Sequence, residues 1–278
     1  MSGPALPPLD VRSLLRQYGL HPSKGLGQNF LVEDAALRKI AALADLGPED
    51  AVLEVGPGLG NLTRYLALSA RSVVAVELDG SLFPVLRAVL APYPNVRLIQ
   101  GDILAFSTTE LMQVGGYVVV ANLPYYITSA VIRHLLSGEL RPRRAVLTVQ
   151  REVAERLCAA PGDMSLLALS VQVYGKPEIV ARLPAHAFYP APRVDSAVVR
   201  LEVYPQPVIP ADRLEQFFRL AKAGFSQKRK TLRNALAGGL GIPAVQSGEL
   251  LEAAQIDPRR RAETLSLEEW GKLLEMVG

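Results

Sequence analysis

The chain has 278 residues, 49% of them apolar and 21% charged, the composition of a globular protein with room for one main core and a smaller second unit. No stretch reaches the run of about eighteen apolar residues that a spanning helix needs, and Met1 to Asp10 lacks the basic start and apolar stretch of a secretory signal, so a cytoplasmic protein without a membrane partner is expected. The net charge of +3 is too small by itself to argue for nucleic acid, while one cysteine (Cys158) and three scattered histidines (His21, His134, His186) exclude an internal disulfide and any recognised metal spacing.

Residues 1–9 hold three prolines and read as a flexible tail. Asp10 is placed to cap a short helix with Val11, Leu14, Leu15 and Tyr18 on one face and Gly19 at its end. After the stretch His21 to Gln28, Asp34 is the expected cap of a second helix that turns Leu37, Ile40, Ala41 and Ala44 inward, with Gly47 as its left-handed terminator. Short apolar runs then alternate with helical patterns, at 51–55, 72–78, 96–100, 117–121, 145–149, 169–174 and 197–204. Such alternation predicts an α/β fold with a mainly parallel, Rossmann-like sheet of seven strands. Val73 to Val76 and Val118 to Val120 have no polar alternation, as strands covered on both faces require. In the last run Arg200 and Glu202 alternate with Val199, Leu201 and Val203, which predicts an antiparallel, half-exposed strand closing the sheet. Three prolines over 205–210 mark a linker. The expected domains are therefore 10–204 and a smaller all-α domain over 211–278, where Leu214, Phe217, Phe218 and Ala221, then Leu232, Leu236 and Leu240, then Leu267, Trp270, Leu273 and Leu274 recur at helical spacing.

Four motifs carry chemistry. The first strand runs into Glu54-Val-Gly56-Pro-Gly58-Leu-Gly60-Asn61, a glycine turn that lets backbone approach a ligand. Its spacing departs from the dinucleotide fingerprint, and an acidic residue just ahead of it suits a ligand with a cationic amine better than a diphosphate; a tight turn without ligand is the alternative. Glu77 ends the second strand, where a carboxylate can bridge adjacent ribose hydroxyls, and Asp102 with Ile103 ends the third. The fourth strand delivers Asn122-Leu123-Pro124-Tyr125. An adenine amine is a poor nucleophile because its lone pair is delocalised into the ring. The side-chain carbonyl of Asn122 and the backbone carbonyl of Leu123 can each accept one of its N–H bonds and favour a pyramidal nitrogen, while Pro124 stiffens the turn and Tyr125 offers a face for an extruded base.

These motifs, with Gln28-Asn29-Phe30-Leu31, Glu77-Leu-Asp79 and Gly101-Asp102, resemble those of the ribosomal RNA adenine N6-dimethyltransferases, and the resemblance runs from about Lys24 to the C-terminus. Gln150 to Leu157, Phe188 to Ser196, Phe225 to Asn234 and Arg261 to Leu265 are similar to the small-subunit (KsgA) branch of that family. The resemblance implies a Rossmann-like S-adenosylmethionine-dependent enzyme that converts two adjacent adenines near the 3′ end of 16S ribosomal RNA to N6,N6-dimethyladenine during small-subunit biogenesis, releasing S-adenosylhomocysteine. It implies that Asn29 and Leu31 close over the cofactor, that Glu54, Gly56 and Gly58 line its methionine and ribose portion, that Glu77 holds the ribose, and that Asp102 and Ile103 take the adenine. Asn122 serves cofactor and target alike, and Tyr125 and Phe188 sandwich the target base. Tyr126 stands where the family commonly has Asn, Arg193 where Lys is frequent, and 161–167 lacks the expected Lys and Tyr-Gly pair.

From Gln216 to Gly248 there is no acidic residue, while Arg219, Lys222, Lys228, Arg229, Lys230 and Arg233 supply six positive charges. A solvated helix face is the plain reading; the resemblance favours contact with RNA phosphates, extended by Arg259, Arg260 and Arg261. Cys158, His134 and Trp270 are read as structural. The partner expected is small-subunit ribosomal RNA within a pre-30S particle, met by a monomer that uses no metal. Rival readings are the sister branch acting on large-subunit RNA, a ribosome-assembly factor for which methylation is incidental, and an NAD-dependent oxidoreductase, which Asn61 and the lack of a hydride-transfer acid disfavour.

Overall fold

The computed structural model describes residues 6–124 and 127–277. The chain forms two compact units: one runs from the N-terminus to Ala154 and resumes over Glu178–Val203, the other joins Glu155–Pro177 to the chain from Tyr204 onward. The contiguous 10–204 domain expected from the sequence is thus interrupted, because Glu155–Pro177 packs with the C-terminal helices.

Among the described residues there are nine strands, β1 (Phe30–Leu31), β2 (Ala51–Val55), β3 (Ser72–Glu77), β4 (Val96–Gln100), β5 (Val118–Asn122), β6 (Arg144–Gln150), β7 (Gly175–Leu183), β8 (Phe188–Tyr189) and β9 (Ser196–Val203). Seven form one sheet in the order β4-β3-β2-β5-β6-β9-β7, and β1 pairs separately with β8. Strands β2 to β6 run parallel, and β9 returns antiparallel to β6 with Leu147 opposite Val199. Val52, Leu53, Val73, Val118, Val119 and Val146 are fully buried, so both sheet faces are covered and uninterrupted β-branched runs are the stable choice. Strand order reverses beside β2, with β3 on one side and β5 on the other, which opens a crevice at the carboxyl ends of these strands.

Three expectations need correction. Leu169 to Tyr174 is not a strand: the Ser165 hydroxyl accepts from Ala168 N and caps a helix over Leu166–Gln172. A short apolar run does not distinguish helix from strand by period, and here the cap decides. The seventh strand is β7, whose Lys176, Glu178 and Arg182 are exposed between more buried neighbours, as suits an edge. Consequently β9 lies between β6 and β7 and does not close the sheet. Finally, Glu33 is the N-cap of helix Asp34–Ala44, and Asp45, with φ 50°, ends it in the left-handed conformation expected of Gly47. Aspartate tolerates that backbone better than most residues. The N-terminal helix Val11–Gln17 forms as expected, with Asp10 accepting from Ser13 N.

The second unit contains the helices Leu166–Gln172, Leu214–Phe225, Leu232–Leu240, Ala244–Ala253 and Leu267–Met276. Phe217, Leu220, Leu232, Leu251, Trp270 and Leu273 fill its core, and Phe225 stacks on Trp270 at 5.6 Å. Ser266 and Glu269 form a capping box, and Glu269 also takes the guanidinium of Arg260. Gly162 N and Met164 N both donate to the Glu263 carbonyl, which anchors the divergent 161–167 segment inside this unit.

Candidate active site

The glycine turn after β2 is built on left-handed backbone, with Gly56 at φ 72° and Gly58 at φ 60°. A Cβ at Gly58 would come within 2.9 Å of the Phe30 ring, so both backbone and space demand glycine there. Gly58 N donates to Glu77 Oε2 at 3.1 Å and Asp79 N to Oε1 at 2.9 Å. Glu77, 7% exposed, is thereby fixed at the end of β3. Burial pushes its carboxyl above the ordinary range, and the bonds from the Asp79 and Gly58 backbone oppose that rise. The segment before β1 covers this edge. Gln28 Nε2 donates to Asp79 Oδ2 at 2.7 Å, Gln28 Oε1 accepts from Ser23 N at 2.8 Å, and Asn61 Nδ2 reaches the Leu31 carbonyl at 2.9 Å.

Between that segment and the strand ends lies a cleft, at the edge where open α/β sheets bind ligands. Of the residues read as functional, Asn29, Gly56, Gly58, Glu77, Asp102, Ile103, Asn122, Leu123 and Pro124 all line it. Leu31 and Glu54 line a smaller adjoining cavity that shares Gly56, Gly58 and Asn122 with the cleft. Phe188 does not present an open face: it is 4% exposed, pairs with Leu31 and belongs to the core. Tyr125 and Tyr126 lie outside the described residues. Leu26, Phe30 and Leu78 also line the cleft and were not singled out as ligand contacts; Leu78 had a signal, since it directly follows Glu77 at a strand end.

Asn122 is held through its amide, whose Nδ2 donates to the Asn29 carbonyl at 3.0 Å. A carbonyl can only accept, so this bond fixes which end of the amide is nitrogen and leaves Oδ1 as the free acceptor. Leu123 N donates to the Thr148 carbonyl at 3.1 Å, which fixes the turn. The Pro124 carbonyl is engaged by Ile127 N and Thr128 Oγ1. Among the described residues Asn122 Oδ1 and the Leu123 carbonyl receive no hydrogen bond, so two acceptors remain at the wall of the cleft.

Glu54 is 1% exposed and its Oε2 has no hydrogen-bond partner among the described residues. Burial pushes its carboxyl up to about 8, and the nearby Glu77 adds to the rise. A buried carboxyl with one oxygen unpartnered among the described residues, beside the glycine turn, fits a ligand that brings a cationic amine. The buried Glu77, at the strand end with one lone pair left on each oxygen, fits a vicinal diol. The donor set thus suits a ribose-bearing amino acid such as S-adenosylmethionine. Among the described residues no three His, Cys, Asp or Glu side chains gather as a metal requires, and no helix is long and apolar enough to cross a membrane.

In the helical unit Arg219, Lys222, Lys228, Arg229, Lys230 and Arg233 are all exposed and none is ion-paired to a described residue. They do not share one helix face: Lys228 to Lys230 occupy a turn between helices Leu214–Phe225 and Leu232–Leu240. Arg259 and Arg260 are paired with Asp257 and Glu269, so Arg260 in particular is structural. His134 bonds the Phe106 carbonyl and Trp270 is core, as read from the sequence.

Compared with known proteins, residues 21–277 match the model of the family described as ribosomal RNA adenine dimethylase. Ribosomal RNA small subunit methyltransferase A of Dehalococcoides mccartyi (strain CBDB1) is 52% identical over 271 residues, covering 96% of this chain and 93% of its own. The protein of the same name from Moorella thermoacetica (strain ATCC 39073 / JCM 9320) is 45% identical over 94% of each chain. Among solved structures, a dimethyladenosine transferase from Plasmodium falciparum superposes with TM-score 0.76 at 28% identity, over 88% of this chain and 95% of its own. The 23S rRNA methyltransferase ErmE superposes with TM-score 0.73 at 29% identity, over 89% and 99%. The chain belongs to the ribosomal RNA adenine dimethylase family.

Proposed function

We infer that this chain is an S-adenosylmethionine-dependent dimethyltransferase that converts two adjacent adenines near the 3′ end of small-subunit (16S) ribosomal RNA to N6,N6-dimethyladenine. The observation that carries the reading is a pair of acceptors that no described residue engages, Asn122 Oδ1 and the Leu123 carbonyl, on residues lining the cleft that also holds Glu77, with Glu54, whose Oε2 has no partner among the described residues, in the adjoining cavity. Substrate choice follows the sequence: the relatives 52% and 45% identical are small-subunit enzymes, while the large-subunit enzyme ErmE stands at 29%.

The bound cofactor supplies an electrophilic methyl group on a sulfonium. Glu77 takes its ribose hydroxyls, Asp102 and Ile103 its adenine, and Glu54 its amine, with Gly56 and Gly58 giving backbone access and Asn29 and Leu31 closing from the N-terminal side. Asn122 Oδ1 and the Leu123 carbonyl accept the two N–H bonds of the target amine and turn its lone pair toward the methyl group, so catalysis comes from positioning. As the N–C bond forms the S–C bond breaks, and the nitrogen, now cationic, releases a proton to solvent. An exocyclic nitrogen made cationic by methylation is a strong acid, so water takes the proton and no charged base is needed. One N–H remains after the first transfer, enough for a single acceptor to orient the second. Tyr125 provides the stacking face for the extruded base, while Phe188 serves as packing behind the site.

The sheet-bearing unit is the catalytic unit and the helical unit grips RNA through Arg219, Lys222, Lys228, Arg229, Lys230 and Arg233. The enzyme acts as a cytoplasmic monomer on a partly assembled small subunit. Incubation with labelled S-adenosylmethionine and small subunits lacking the modification, then mapping of methylated nucleotides, tests the reading. Two dimethylated neighbouring adenines near the 3′ end are expected; label confined to large-subunit RNA overturns it.

A further inference from the structure

Two acid-free stretches outside the helical unit, Val11 to Val32 and Ile179 to Val194, are joined by the pairing of β1 with β8, which sets Phe30 opposite Tyr189. Besides Arg182 on β7, they carry Arg12, Arg16, Lys24 and Arg193, all exposed. None of these four is ion-paired to a described residue, whereas other basic residues of the same unit are neutralised, Arg38 by Asp34, Arg143 by Asp50 and Arg144 by Asp45 and Glu202. Asp10, six residues before Arg16, has its carboxylate bonded by Ser13. The Arg12 guanidinium lies over the Tyr189 ring at 4.8 Å, which ties helix Val11–Gln17 to the strand pair. The patch also borders the cleft, since the segment ending in Phe30 lines it and the Asn29 carbonyl holds the Asn122 amide.

We propose that Arg12, Arg16, Lys24 and Arg193 form a second RNA-backbone contact, on the sheet-bearing unit, that holds the phosphates flanking the target adenine. The proposal rests on the RNA-methyltransferase reading, because a base delivered to Asn122 brings its own flanking phosphates to the rim of the cleft. An anionic membrane surface is a poorer fit, as it rewards apolar insertion beside the charge and Val194 is the one large apolar side chain these stretches expose among the described residues.

The test uses the triple variant Arg16→Ala, Lys24→Ala, Arg193→Ala, leaving Arg12 in its stack. Binding of a protein-free 3′ fragment of small-subunit RNA is measured across a potassium chloride series, with S-adenosylmethionine affinity and Tm recorded alongside. Each lost phosphate contact flattens the slope of log affinity against log salt by about 0.7, about 2 for the triple, with an affinity loss of roughly tenfold or more at low salt. Cofactor affinity and Tm stay at wild-type values, and the charge-preserving triple Arg16→Lys, Lys24→Arg, Arg193→Lys restores the slope. An unchanged slope with methylation intact overturns the proposal and leaves the enzymatic reading standing. Loss of binding to assembled particles alone, with protein-free RNA unaffected, assigns the patch to a ribosomal protein and overturns it too. Absence of methylation by the wild-type chain is the separate outcome that sinks the enzymatic reading.

Discussion

Asn122 is worth more to this site than its composition suggests, because a backbone carbonyl from a distant segment decides which end of its amide faces the cleft. Asn122→Ala is expected to lower kcat by about 100-fold or more, the scale of losing one preorganised hydrogen-bonding group, with cofactor affinity within a few-fold of wild type; single-turnover methylation at saturating cofactor is the measurement. Glu54 makes a different prediction. Its carboxyl titrates near 8 in the folded chain against an ordinary 4.5, so the folded state keeps a proton that the unfolded chain releases. That contribution to stability is full below the ordinary value and is lost as pH rises through about 8. Glu54→Gln should therefore lose less stability than wild type between about pH 5 and pH 8 in denaturant titrations; parallel curves would sink the assignment. The same variant should bind S-adenosylmethionine roughly tenfold or more weakly, about 1.5–3 kcal/mol, for want of the charged partner of its amine. At Gly58, alanine meets both a left-handed backbone and the Phe30 ring, so Gly58→Ala is expected to cost at least about 1–2 kcal/mol in unfolding experiments and to abolish detectable cofactor binding.

Among the elements, the segment from Ser23 to Leu31 does most to assemble the site. It contributes no regular structure until β1, yet Gln28 reaches Asp79, Asn29 reaches Asn122 and Leu31 receives Asn61. Removing the Gln28 side chain leaves the Asp79 carboxylate without that donor; Gln28→Ala is expected to weaken cofactor binding by about 1.5–3 kcal/mol, read by calorimetry, while the Tm moves little. The strands that carry the motifs were legible, since β2, β3 and β5 each hold an apolar run with a chemically distinctive residue at or beside its end, and Asp102 follows β4 by two residues. Leu169 to Tyr174 was not, because its short apolar run satisfies either period until Ser165 caps the helix Leu166–Gln172 that contains most of it. Phe188 was legible as part of a motif and illegible as a buried residue, for burial comes from its pairing with Leu31, far away in sequence.

At the scale of the molecule, charge is segregated by pairing more than by count. Arg38, Arg143 and Arg144 of the sheet-bearing unit are engaged by carboxylates, while the six basic residues between Arg219 and Arg233 have no such partner among the described residues. Replacing Lys228, Arg229 and Lys230 by alanine is expected to flatten the salt dependence of RNA binding by about 2 in log–log slope and to leave cofactor affinity unchanged; filter binding at several salt concentrations decides it. A net charge of +3 concealed this, because summation discards position.

The sequence by itself determined the fold class, the strand ends that bear Glu54, Glu77, Asp102 and Asn122, and the chemistry those groups support, because a parallel sheet must bury continuous apolar runs and present its polar residues where they end. Only the tertiary structure decided that Glu54 is enclosed, that Asn122 is turned by Asn29, that Phe188 is enclosed, and that Glu155–Pro177 joins the helical unit. Each of these depends on groups far apart in the chain, and burial, pairing and free acceptors exist only once folding has brought such groups together.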